Sequence, residues 1–432
     1  MAVNAHRAFD NTSDESYRTN LSPKDREIEE LRRARDAIRG ALKRAFASWE
    51  DRIEAGVLFE AAAVRSLSPG RKPSLSPKFR GQGSYVYATL NQPTHNPPQE
   101  MDFDDGMFLP TSFLSENGKT HPIVASNGYF ALVESALKAL CDESGWTINP
   151  GRTRPSCVRV GLNNGRSHID IALYAIPDDE YHVLIEKAAA ASGVGASATD
   201  EETLFGDVYS TIPYDQIMLA HRIEGWKVSD PRKLEDWFVS AVKTHGEQLR
   251  RVARYLKGWR DHTWEKCKLS SIALMACVVR FFEEADVDYV GRDDLALQAI
   301  AARLPTYLGS TIANPVVPGR LDEGWDEGGN HCRKEFVSQA LSLQRAIGDA
   351  LSQTRAEDAS TRLRRIFGTH FPTKSSLISE ETPIEFKSAA TAASAATIGI
   401  SAAEQAARAQ SAATALRSAG LASKPWGSPD LE

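Results

Sequence analysis

The sequence predicts an α/β protein of the α+β type with two lobes, a mixed α/β region first and a helical region after it. Cys157–Leu162 alternates in side-chain character, Asn163-Asn164-Gly165 is a turn signal, and Ser167–Tyr174 follows as a second strand, an order that is typical of a β-hairpin. From Ser229 onwards, apolar residues recur with the spacing of amphipathic helices. A chain of 432 residues is long enough to bury a core in each lobe.

The chain begins with a polar stretch, residues 1–21, that we expect to be flexible. Ser22 and Pro23 then predict the start of a helix, because serine caps helices and proline fits the first helical position. An apolar stripe from Ile28 to Phe46 continues this helix. Basic residues between Arg32 and Arg44 cover much of its remaining surface, either as a solvated face or as a surface that contacts a ligand.

The next segments predict the rest of the first lobe. Residues 66–82 are rich in serine, proline and glycine and predict a loop, whereas residues 101–109 predict a strand. Asn127–Cys141 carries one apolar stripe and predicts a helix. Ser167–Tyr174 predicts the return strand of the hairpin, and the small polar residues 190–201 predict a loop.

The second lobe is predicted from helical patterns. Asp230-Pro231 begins a long segment that continues to Leu256, and Leu269–Phe282 predicts a nearly apolar helix at the centre of the core. Ser388–Ala422 is rich in alanine and serine and predicts either a weak helix or a disordered tail. The predicted division is a flexible N-terminus at 1–21, an α/β core at 22–228, a helical lobe at 229–380 and a low-complexity tail at 381–432.

The composition limits the class of protein. A net charge of −6 provides no overall basic field that would attract nucleic acid. No run approaches the about 18 consecutive apolar residues of a membrane span, and the polar N-terminus lacks the apolar stretch of a signal peptide. The five cysteines are scattered and never spaced Cys-x-x-Cys, so we expect neither a disulfide framework nor a zinc site. A cytoplasmic protein without a membrane partner fits these features.

Three aspartates are the candidate catalytic residues and metal ligands. Asp102 and Asp104 lie two residues apart in a predicted strand, so their carboxylates point to the same face. Asp170, in the return strand of the hairpin, would add a third carboxylate from a neighbouring strand. Such hard oxygen ligands suit Mg²⁺ bound together with substrate phosphates. Taken alone, the Asp-x-Asp pair is common and is more often a polar strand edge or a turn than a metal site.

Phosphate-binding groups are predicted on both sides of these aspartates. Gly83 and Ser84 form a turn whose backbone N–H groups and hydroxyl could bind phosphates, although a plain turn has the same pattern. Lys257 and Ser271 lie on two successive predicted helices, either as a surface lysine and a cap or as groups that neutralise a triphosphate. The combination predicts a nucleotidyltransferase site.

Candidate base contacts are less specific. Tyr87 and Arg159 could hold a nucleobase between an aromatic ring and a planar guanidinium, or they could be an ordinary packing residue and a cross-strand partner. Asp230 precedes Pro231 and is either the cap of a helix or a hydrogen-bond partner of a base edge.

Several blocks of residues, in one order, carry a family resemblance. They are Gln82–Pro93, Gln99–Gly106, His168–Asp170, Tyr174–Pro177, Ser229–Pro231, Glu235–Phe238, Lys257–Asp261 and Ser270–Ile272. Together they resemble the bacterial cGAS/DncV-like nucleotidyltransferases, the CD-NTases, and most of all the DncV-type dinucleotide cyclases. The resemblance covers residues 22–290 and is weaker beyond them.

This resemblance implies a polymerase-β-like nucleotidyltransferase core with a mixed sheet, joined to a C-terminal helical lobe, with the active site in the cleft between them. It also implies a role for each matching residue. The metal ligands would be Asp102, Asp104 and Asp170, and the residues that hold the triphosphate would be Ser84, Lys257 and Ser271, with Gln82 and Gly83 as further nucleotide-binding residues. The base contacts would be Tyr87, Arg159, Ser229 and Asp230.

The implied activity is synthesis of a cyclic dinucleotide messenger, 3′,3′-cyclic GMP-AMP from ATP and GTP, in bacterial antiphage (CBASS) signalling. Two Mg²⁺ ions, replaceable by Mn²⁺, would lie about 3.5–4 Å apart, one on all three aspartates and one on Asp102 and Asp104. The implied partners are a downstream effector that responds to the cyclic dinucleotide and a ubiquitin-like conjugation enzyme that acts on the C-terminus. The zinc-ribbon ligands of the animal sensor are absent, so direct sensing of double-stranded DNA is not implied.

Two other functions remain open from the sequence. One is a template-independent transferase that adds nucleotides to RNA or protein, which predicts a basic acceptor surface and a linear product. The other is a catalytically dead nucleotide-binding scaffold. The three intact aspartates argue against the scaffold, because a protein without catalysis has no need of them.

Overall fold

The structure is a computed structural model that describes residues 3–12, 15–47, 76–111, 122–151, 153–163, 165–183, 209–285, 289–327 and 331–381. Its helices are α1 (His6–Phe9), α2 (Tyr17–Leu21), α3 (Asp25–Ala47), α4 (Gly83–Val86), α5 (Pro122–Ser144), α6 (Pro231–His245), α7 (Glu247–Thr263), α8 (Ser271–Glu284), α9 (Asp293–Gly309), α10 (Cys332–Leu351) and α11 (Ala356–Phe367). Its strands are β1 (Val3–Asn4), β2 (Lys78–Gln82), β3 (Met101–Pro110), β4 (Thr147–Ile148), β5 (Cys157–Gly161), β6 (Ser167–Ile176), β7 (Met218–His221), β8 (Gly225–Val228) and β9 (Ser379–Glu380).

A seven-stranded mixed sheet forms the centre of the first lobe within the described residues. Its main path runs β2-β3-β6-β5-β4, and β7 joins β6 to β8. The pair β3 and β6 is parallel, whereas β2 with β3 and β5 with β6 are antiparallel. The predicted strand at 101–109 and the predicted hairpin at 157–176 are confirmed as β3 and as β5 with β6.

Helices α3 and α5 cover one face of this sheet. Alternate residues of the two central strands, among them Phe103 and Ile169, are completely buried against apolar side chains such as Ile38 and Phe130. Because side chains alternate along a strand, the intervening residues of β3 and β6 face the other way. Asp102 and Asp104 there point toward the second lobe, whereas Phe108 and Tyr174 are buried in a further apolar cluster with Tyr209. The sheet therefore has one structural face and one face that borders a cleft.

The second lobe is helical and packs around α7, α8 and α9, whose apolar side chains belong to one continuous core. The predicted apolar helix at Leu269–Phe282 is confirmed as α8. The long helical segment predicted from Asp230 to Leu256 is instead two helices, α6 and α7. Gly246 separates them because its backbone adopts φ +86°, a left-handed conformation that a continuing helix does not allow.

The predicted flexible N-terminus at 1–21 is wrong for the residues that the structure describes. Val3–Asn4 pairs with Ser379–Glu380, and Phe9 and Tyr17 are buried among aromatic rings of the helical lobe, including Phe367. These few apolar residues show no local period. Their partners lie more than two hundred residues away in the chain, so the sequence pattern does not reveal the packing.

Two other boundaries differ from the prediction. Helix α3 begins at Asp25, and Ser22 instead ends α2, where its hydroxyl donates to the carbonyl of Arg18 at 2.9 Å. Residues 78–82 were predicted as a loop but form β2, because pairing with β3 satisfies their backbone groups. Residues 66–75, 190–201 and 382–432, including the alanine-rich tail, lie outside the described residues.

Direct contacts join the two lobes beside the cleft. Arg80 of β2 donates to Glu235 of α6 at 2.7 Å, and Asn91 donates to the carbonyl of Arg254 at 2.9 Å. The mixed α/β fold with a helical C-terminal lobe agrees with the predicted fold class. Among the described residues, no helix combines the length and the apolar character that crossing a bilayer requires.

Candidate active site

The parallel pairing of β3 with β6 brings the three predicted aspartates together. In this register Asp102 lies opposite His168, and Asp104 lies opposite Asp170. All four side chains occupy alternate positions on the cleft face of the two strands. Oxygens of Asp102 and Asp170 and a ring nitrogen of His168 lie within 4.8 Å of one another. Sequence spacing predicted that Asp102 and Asp104 lie on the same face. The pairing of β3 with β6 shows in addition that Asp170 lies beside them.

His168 and Glu100 are members of this cluster to which sequence reasoning assigned no role. Nδ1 of His168 lies 2.7 Å from Oε2 of Glu100, and Nε2 lies 2.8 Å from Oδ1 of Asp102. The signal was available, because Glu100 precedes Asp102, and His168 precedes Asp170, by two residues, the period of a strand.

The carboxylates perturb one another strongly. Burial, followed by the negative charges of Asp102 and Asp170, raises the pKa of Asp104 to about 8. For Asp102, desolvation opposes ionisation, but His168, Arg159 and Arg154 outweigh it and lower its pKa. For His168, burial opposes the charged form, but Asp102 outweighs it and raises the pKa. Three carboxylates at one point are thus an unfavourable arrangement for the protein alone.

The donor set fits a divalent cation. Asp102 and Asp170 converge with His168, and Asp104 lies opposite Asp170 in the next strand. The buried atoms Oδ1 of Asp102 and Nε2 of His168 lack a hydrogen-bond partner among the described residues, although they are only 2.8 Å apart. A cation would neutralise the repulsion that raises the pKa of Asp104. Oxygen donors suit Mg²⁺ or Mn²⁺.

Gly83 is required by the position of Asp104. It opens the four-residue helix α4 with φ +67°, and a Cβ atom there would lie 1.8 Å from Oδ2 of Asp104. Only glycine both adopts this backbone conformation readily and leaves room for the carboxylate. The Gly-Ser turn and the Asp-x-Asp pair are consequently parts of one packed unit.

A cavity of 410 Å³ lies between the lobes and contains most of the predicted site. Its lining includes seven predicted residues, namely Gly83, Ser84, Tyr87, Asp102, Asp104, Lys257 and Ser271. Residues not predicted also line it, namely Thr89, Asn91, Glu100, Arg260 and Asp261 among others. Asp102 and Asp104 form one wall, and α7 and the start of α8 form the opposite wall, whereas the predicted residues Asp170 and Arg159 lie behind the aspartate wall and do not line the cavity.

The opposite wall carries positive charge. Lys257 is buried, and its ammonium donates to the carbonyl of Thr89 at 2.6 Å. Burial, and next the nearby charge of Arg260, lower the pKa of Lys257 to about 7. Ser271 is the first residue of α8, and its hydroxyl accepts a hydrogen bond from Arg260 at 3.0 Å. Arg260 is a cation of the cleft that sequence reasoning did not assign.

The two predicted base contacts are placed differently. Tyr87 lines the cavity but is only 6% exposed, and its ring packs 6.3 Å from that of Phe238. Arg159 donates two hydrogen bonds to Asp170, at 2.7 and 2.5 Å, across the antiparallel pair of β5 and β6. In this structure Arg159 is therefore the cross-strand partner that the sequence left as an alternative.

Gln82, Ser229 and Asp230 do not line the cavity. The Asp230 carboxylate caps α6 by accepting from the backbone N–H of Arg232 at 2.8 Å, and it also accepts from the side chain of Arg232 and from Tyr209. Gln82 accepts from the hydroxyl of Tyr174 at 3.2 Å. The capping alternative for Asp230 is thus the one that the structure contains, and base reading by Ser229 and Asp230 stays a prediction.

Comparison with known proteins identifies the family. Residues 77–174 match the family described as "Cyclic GMP-AMP synthase DncV-like, nucleotidyltransferase domain", and residues 246–380 match "Cyclic GMP-AMP synthase, C-terminal domain". The Cyclic GMP-AMP synthase of Escherichia coli (strain TW11681) is 32% identical over 68% of this chain and 68% of its own length. That of Vibrio cholerae serotype O1 is 31% identical over 70% of each chain.

Solved structures give the same assignment. The crystal structure of Vibrio cholerae DncV cyclic AMP-GMP synthase with the linear intermediate 5′ pppA(3′,5′)pG has a TM-score of 0.69 and 25% identity, over 88% of this chain and 100% of that chain. Escherichia coli DncV in its 3′-deoxy GTP bound form has a TM-score of 0.67 at 25% identity and the same coverage. The chain therefore belongs to the DncV-like family and is a nucleotidyltransferase.

Proposed function

We propose that this enzyme joins ATP and GTP into 3′,3′-cyclic GMP-AMP by two successive nucleotidyl transfers. In each transfer, a ribose hydroxyl oxygen would bond to the α-phosphorus of the other nucleotide, the bond to the β-phosphate would break, and pyrophosphate would leave. The observation that carries the proposal is the cavity between the lobes, with Asp102 and Asp104 on one wall and Lys257 and Ser271 on the other. The names of the relatives, Cyclic GMP-AMP synthase, support the choice of substrates.

The aspartate wall would hold the metal. Asp102, Asp104 and Asp170 carry oxygens of the type that Mg²⁺ prefers, and burial together with the charges of Asp102 and Asp170 raises the pKa of Asp104, which a bound cation would offset. When bound, divalent ions lower the pKa of an attacking hydroxyl and stabilise charge on phosphate oxygens. The protein contributes by fixing the carboxylates on two paired strands, which are more rigid than loops.

The cationic wall would hold the triphosphate. Lys257 and Ser271 face the cavity, and Ser84 lies beside the aspartates, so the three can bind one polyanion from both sides. A triphosphate next to Lys257 would favour its ammonium form and offset the burial that lowers its pKa. Arg260 lines the same wall but is paired with Asp261 at 2.6 Å, so it would contact the phosphates only by sharing its guanidinium with that carboxylate.

Base recognition rests on fewer contacts. Tyr87 presents its ring at the cavity wall, which suits stacking of one base. Arg159 would contact a base only after its guanidinium leaves Asp170, to which it donates two hydrogen bonds. Ser229 and Asp230 would act as base readers only if the end of β8 moved toward the cavity.

The family resemblance also supports a biological setting. The product would act as a messenger in bacterial antiphage (CBASS) signalling by binding a downstream effector. The tail at 382–432 would serve as the segment on which a ubiquitin-like conjugation enzyme acts. These roles follow from the resemblance and not from the geometry of the cleft.

The test is to incubate the purified chain with ATP, GTP, CTP, UTP and Mg²⁺ and to analyse products by mass spectrometry after phosphatase treatment. We expect a phosphatase-resistant product with the mass of cyclic GMP-AMP that a 3′–5′-specific nuclease degrades. Extension of an added RNA or protein, or a linear product only, would contradict cyclisation. An Asp170→Asn variant should form no product, and substantial activity in that variant would contradict the metal assignment.

A further inference from the structure

We propose that His168 is a positioning residue that holds the carboxylate of Asp102 in place, and that Glu100 anchors the imidazole. The inference deepens the proposed function, because it concerns how the protein holds the metal-binding aspartates. Glu100, which lines the cavity, contacts one nitrogen of the buried His168 ring, and the other ring nitrogen lies beside Asp102, a candidate metal ligand.

The geometry of the ring is the first argument. Each nitrogen of the His168 imidazole faces a different carboxylate, Glu100 at 2.7 Å from Nδ1 and Asp102 at 2.8 Å from Nε2. The Glu100 contact is a hydrogen bond and the Asp102 contact is a close approach of ion-pair partners, and rotation of the ring would lengthen both distances. Because His168 lies opposite Asp102 in the parallel register of β3 and β6, the backbone itself fixes the distance between the two side chains.

His168 is much more buried than the two carboxylates beside it. The His168 side chain is 5% exposed, whereas Asp102 is 45% exposed and Glu100 is 33% exposed. A buried imidazole between two carboxylates that reach the cavity is poorly placed to contact substrate but well placed to orient its neighbours. Residues that orient metal ligands in this way typically change metal affinity or activity by about 10–100-fold when they are removed.

The position of Nε2 is the third argument. Neither Nε2 of His168 nor Oδ1 of Asp102 has a hydrogen-bond partner among the described residues, although the two atoms are close enough. A small rotation of the Asp102 carboxylate would align them. The contact between Nε2 of His168 and Oδ1 of Asp102 would hold that oxygen in place, and the other oxygen of Asp102 would bind the cation.

Two amide substitutions of His168 test the contact at Nε2 and the contact at Nδ1 separately. In His168→Gln the amide nitrogen reaches about as far as Nε2 and can still donate to Asp102, whereas in His168→Asn it reaches only as far as Nδ1, toward Glu100. We expect the affinity of the chelator-stripped protein for Mn²⁺, measured from the free-Mn²⁺ signal in electron paramagnetic resonance, to fall about 10–100-fold in His168→Asn and much less in His168→Gln. Equal loss in both variants, with both folded by circular dichroism, would overturn the proposal.

A double-mutant cycle tests the anchor. Glu100→Ala should weaken Mn²⁺ binding by itself but should add nothing to His168→Asn, because the anchor acts only through the imidazole. Additive losses would show that Glu100 acts independently of His168 and would contradict its proposed role as the anchor of the imidazole. The exposed histidine His182 provides the control, since His182→Ala should leave Mn²⁺ affinity unchanged.

The same samples distinguish positioning from direct ligation. If His168 bound the metal itself, bound Mn²⁺ would show the strong ¹⁴N coupling of a coordinated imidazole, and that result would overturn the proposal. Because the probe is Mn²⁺ alone, these readouts do not depend on the nucleotide product. A protein that orients Asp102 as proposed but makes no cyclic dinucleotide would contradict the proposed function and leave this inference standing.

Discussion

The two faces of β3 use the same residue type for opposite purposes. Asp102 and Asp104 point into the cleft, where they meet other carboxylates and Asp104 has a raised pKa. Asp105, the next residue, points to the other face and is 1% exposed. There Arg39 of α3 donates two hydrogen bonds to it, at 2.8 and 2.6 Å.

The difference shows that a buried carboxylate can serve stability when the fold supplies its partner and can serve function when it does not. Asp105 has a bidentate partner supplied by the fold, so its desolvation is compensated inside the protein. Asp104 has no such partner, and burial together with the negative charges of Asp102 and Asp170 raises its pKa, so an external cation would stabilise its ionised form. One strand thus carries a structural carboxylate and candidate catalytic carboxylates on adjacent residues.

The comparison is tested most directly by removing the charge of Asp104. We expect Asp104→Asn to lower the rate of product formation by at least about 10³-fold, because metal coordination contributes several kcal/mol to the transition state. The free energy of unfolding of the metal-free protein should stay the same or rise, because the raised pKa of Asp104 shows that its ionisable carboxyl opposes folding near neutral pH, and the amide removes that cost. Urea denaturation and a single-turnover assay measure the two effects. A strong loss of stability would show that Asp104 is structural, as Asp105 is.

Gly83→Ala tests whether Asp104 must occupy its observed position. The new Cβ atom would lie 1.8 Å from Oδ2 of Asp104 and would push the carboxylate away, so we expect activity to fall by about 10²-fold. Gly145→Ala is the matched control, since Gly145 has a similar φ of +69° but nothing within 4 Å of the added atom. Both variants carry the backbone strain, and only Gly83→Ala should lose activity in steady-state assays. Similar losses in both would refute the steric argument.

Asp105→Asn should produce the opposite result to Asp104→Asn. Removing one partner of a buried ion pair leaves Arg39 without its carboxylate, so we expect the free energy of unfolding to fall by about 3–5 kcal/mol. The protein that remains folded should keep its activity within a few-fold, because Asp105 faces away from the cleft. Denaturant titration and activity per folded molecule distinguish the cases. A stable but inactive Asp105→Asn protein would contradict the division between the faces.

Lys257 extends the comparison to a buried cation. Its pKa falls from 10.5 to about 7, so between these values the unfolded chain holds more protons than the folded protein. Stability due to this group should therefore rise as pH increases from about 7 toward 10, by at most about 1.4 kcal/mol per pH unit. Lys257→Met should remove this dependence while it keeps most of the packing. Urea denaturation of both proteins at about pH 7.5 and about pH 9 measures the difference. Parallel pH profiles would show that Lys257 keeps its proton in the folded state.

Local patterns predicted much of the first lobe and named all three aspartates of the cluster. The two-residue period of a strand placed Asp102 and Asp104 on one face, and Asn163-Asn164-Gly165 predicted the hairpin that carries Asp170. The same period also contained Glu100 and His168, although no role was assigned to them. The functional class came from the resemblance of several blocks to one family, which the matches at 77–174 and 246–380 confirm.

Other features had no local signal. The burial of Phe9 and Tyr17 depends on a surface built by helices near the C-terminus, and the break at Gly246 shows only as a single glycine in a helical pattern. Arg159 could have faced a base or Asp170, and only the pairing of β5 with β6 placed it against Asp170.

The sequence by itself determined the face on which each side chain of β3 lies, because strand geometry repeats every two residues whatever the strand packs against. The tertiary structure alone decided which charges have partners. Arg39 reaches Asp105 from α3, Asp170 reaches the cleft in parallel register, and Lys257 approaches from the other lobe. These contacts join residues far apart in the chain, and burial of two separate cores fixes them, so no short window of sequence contains the information.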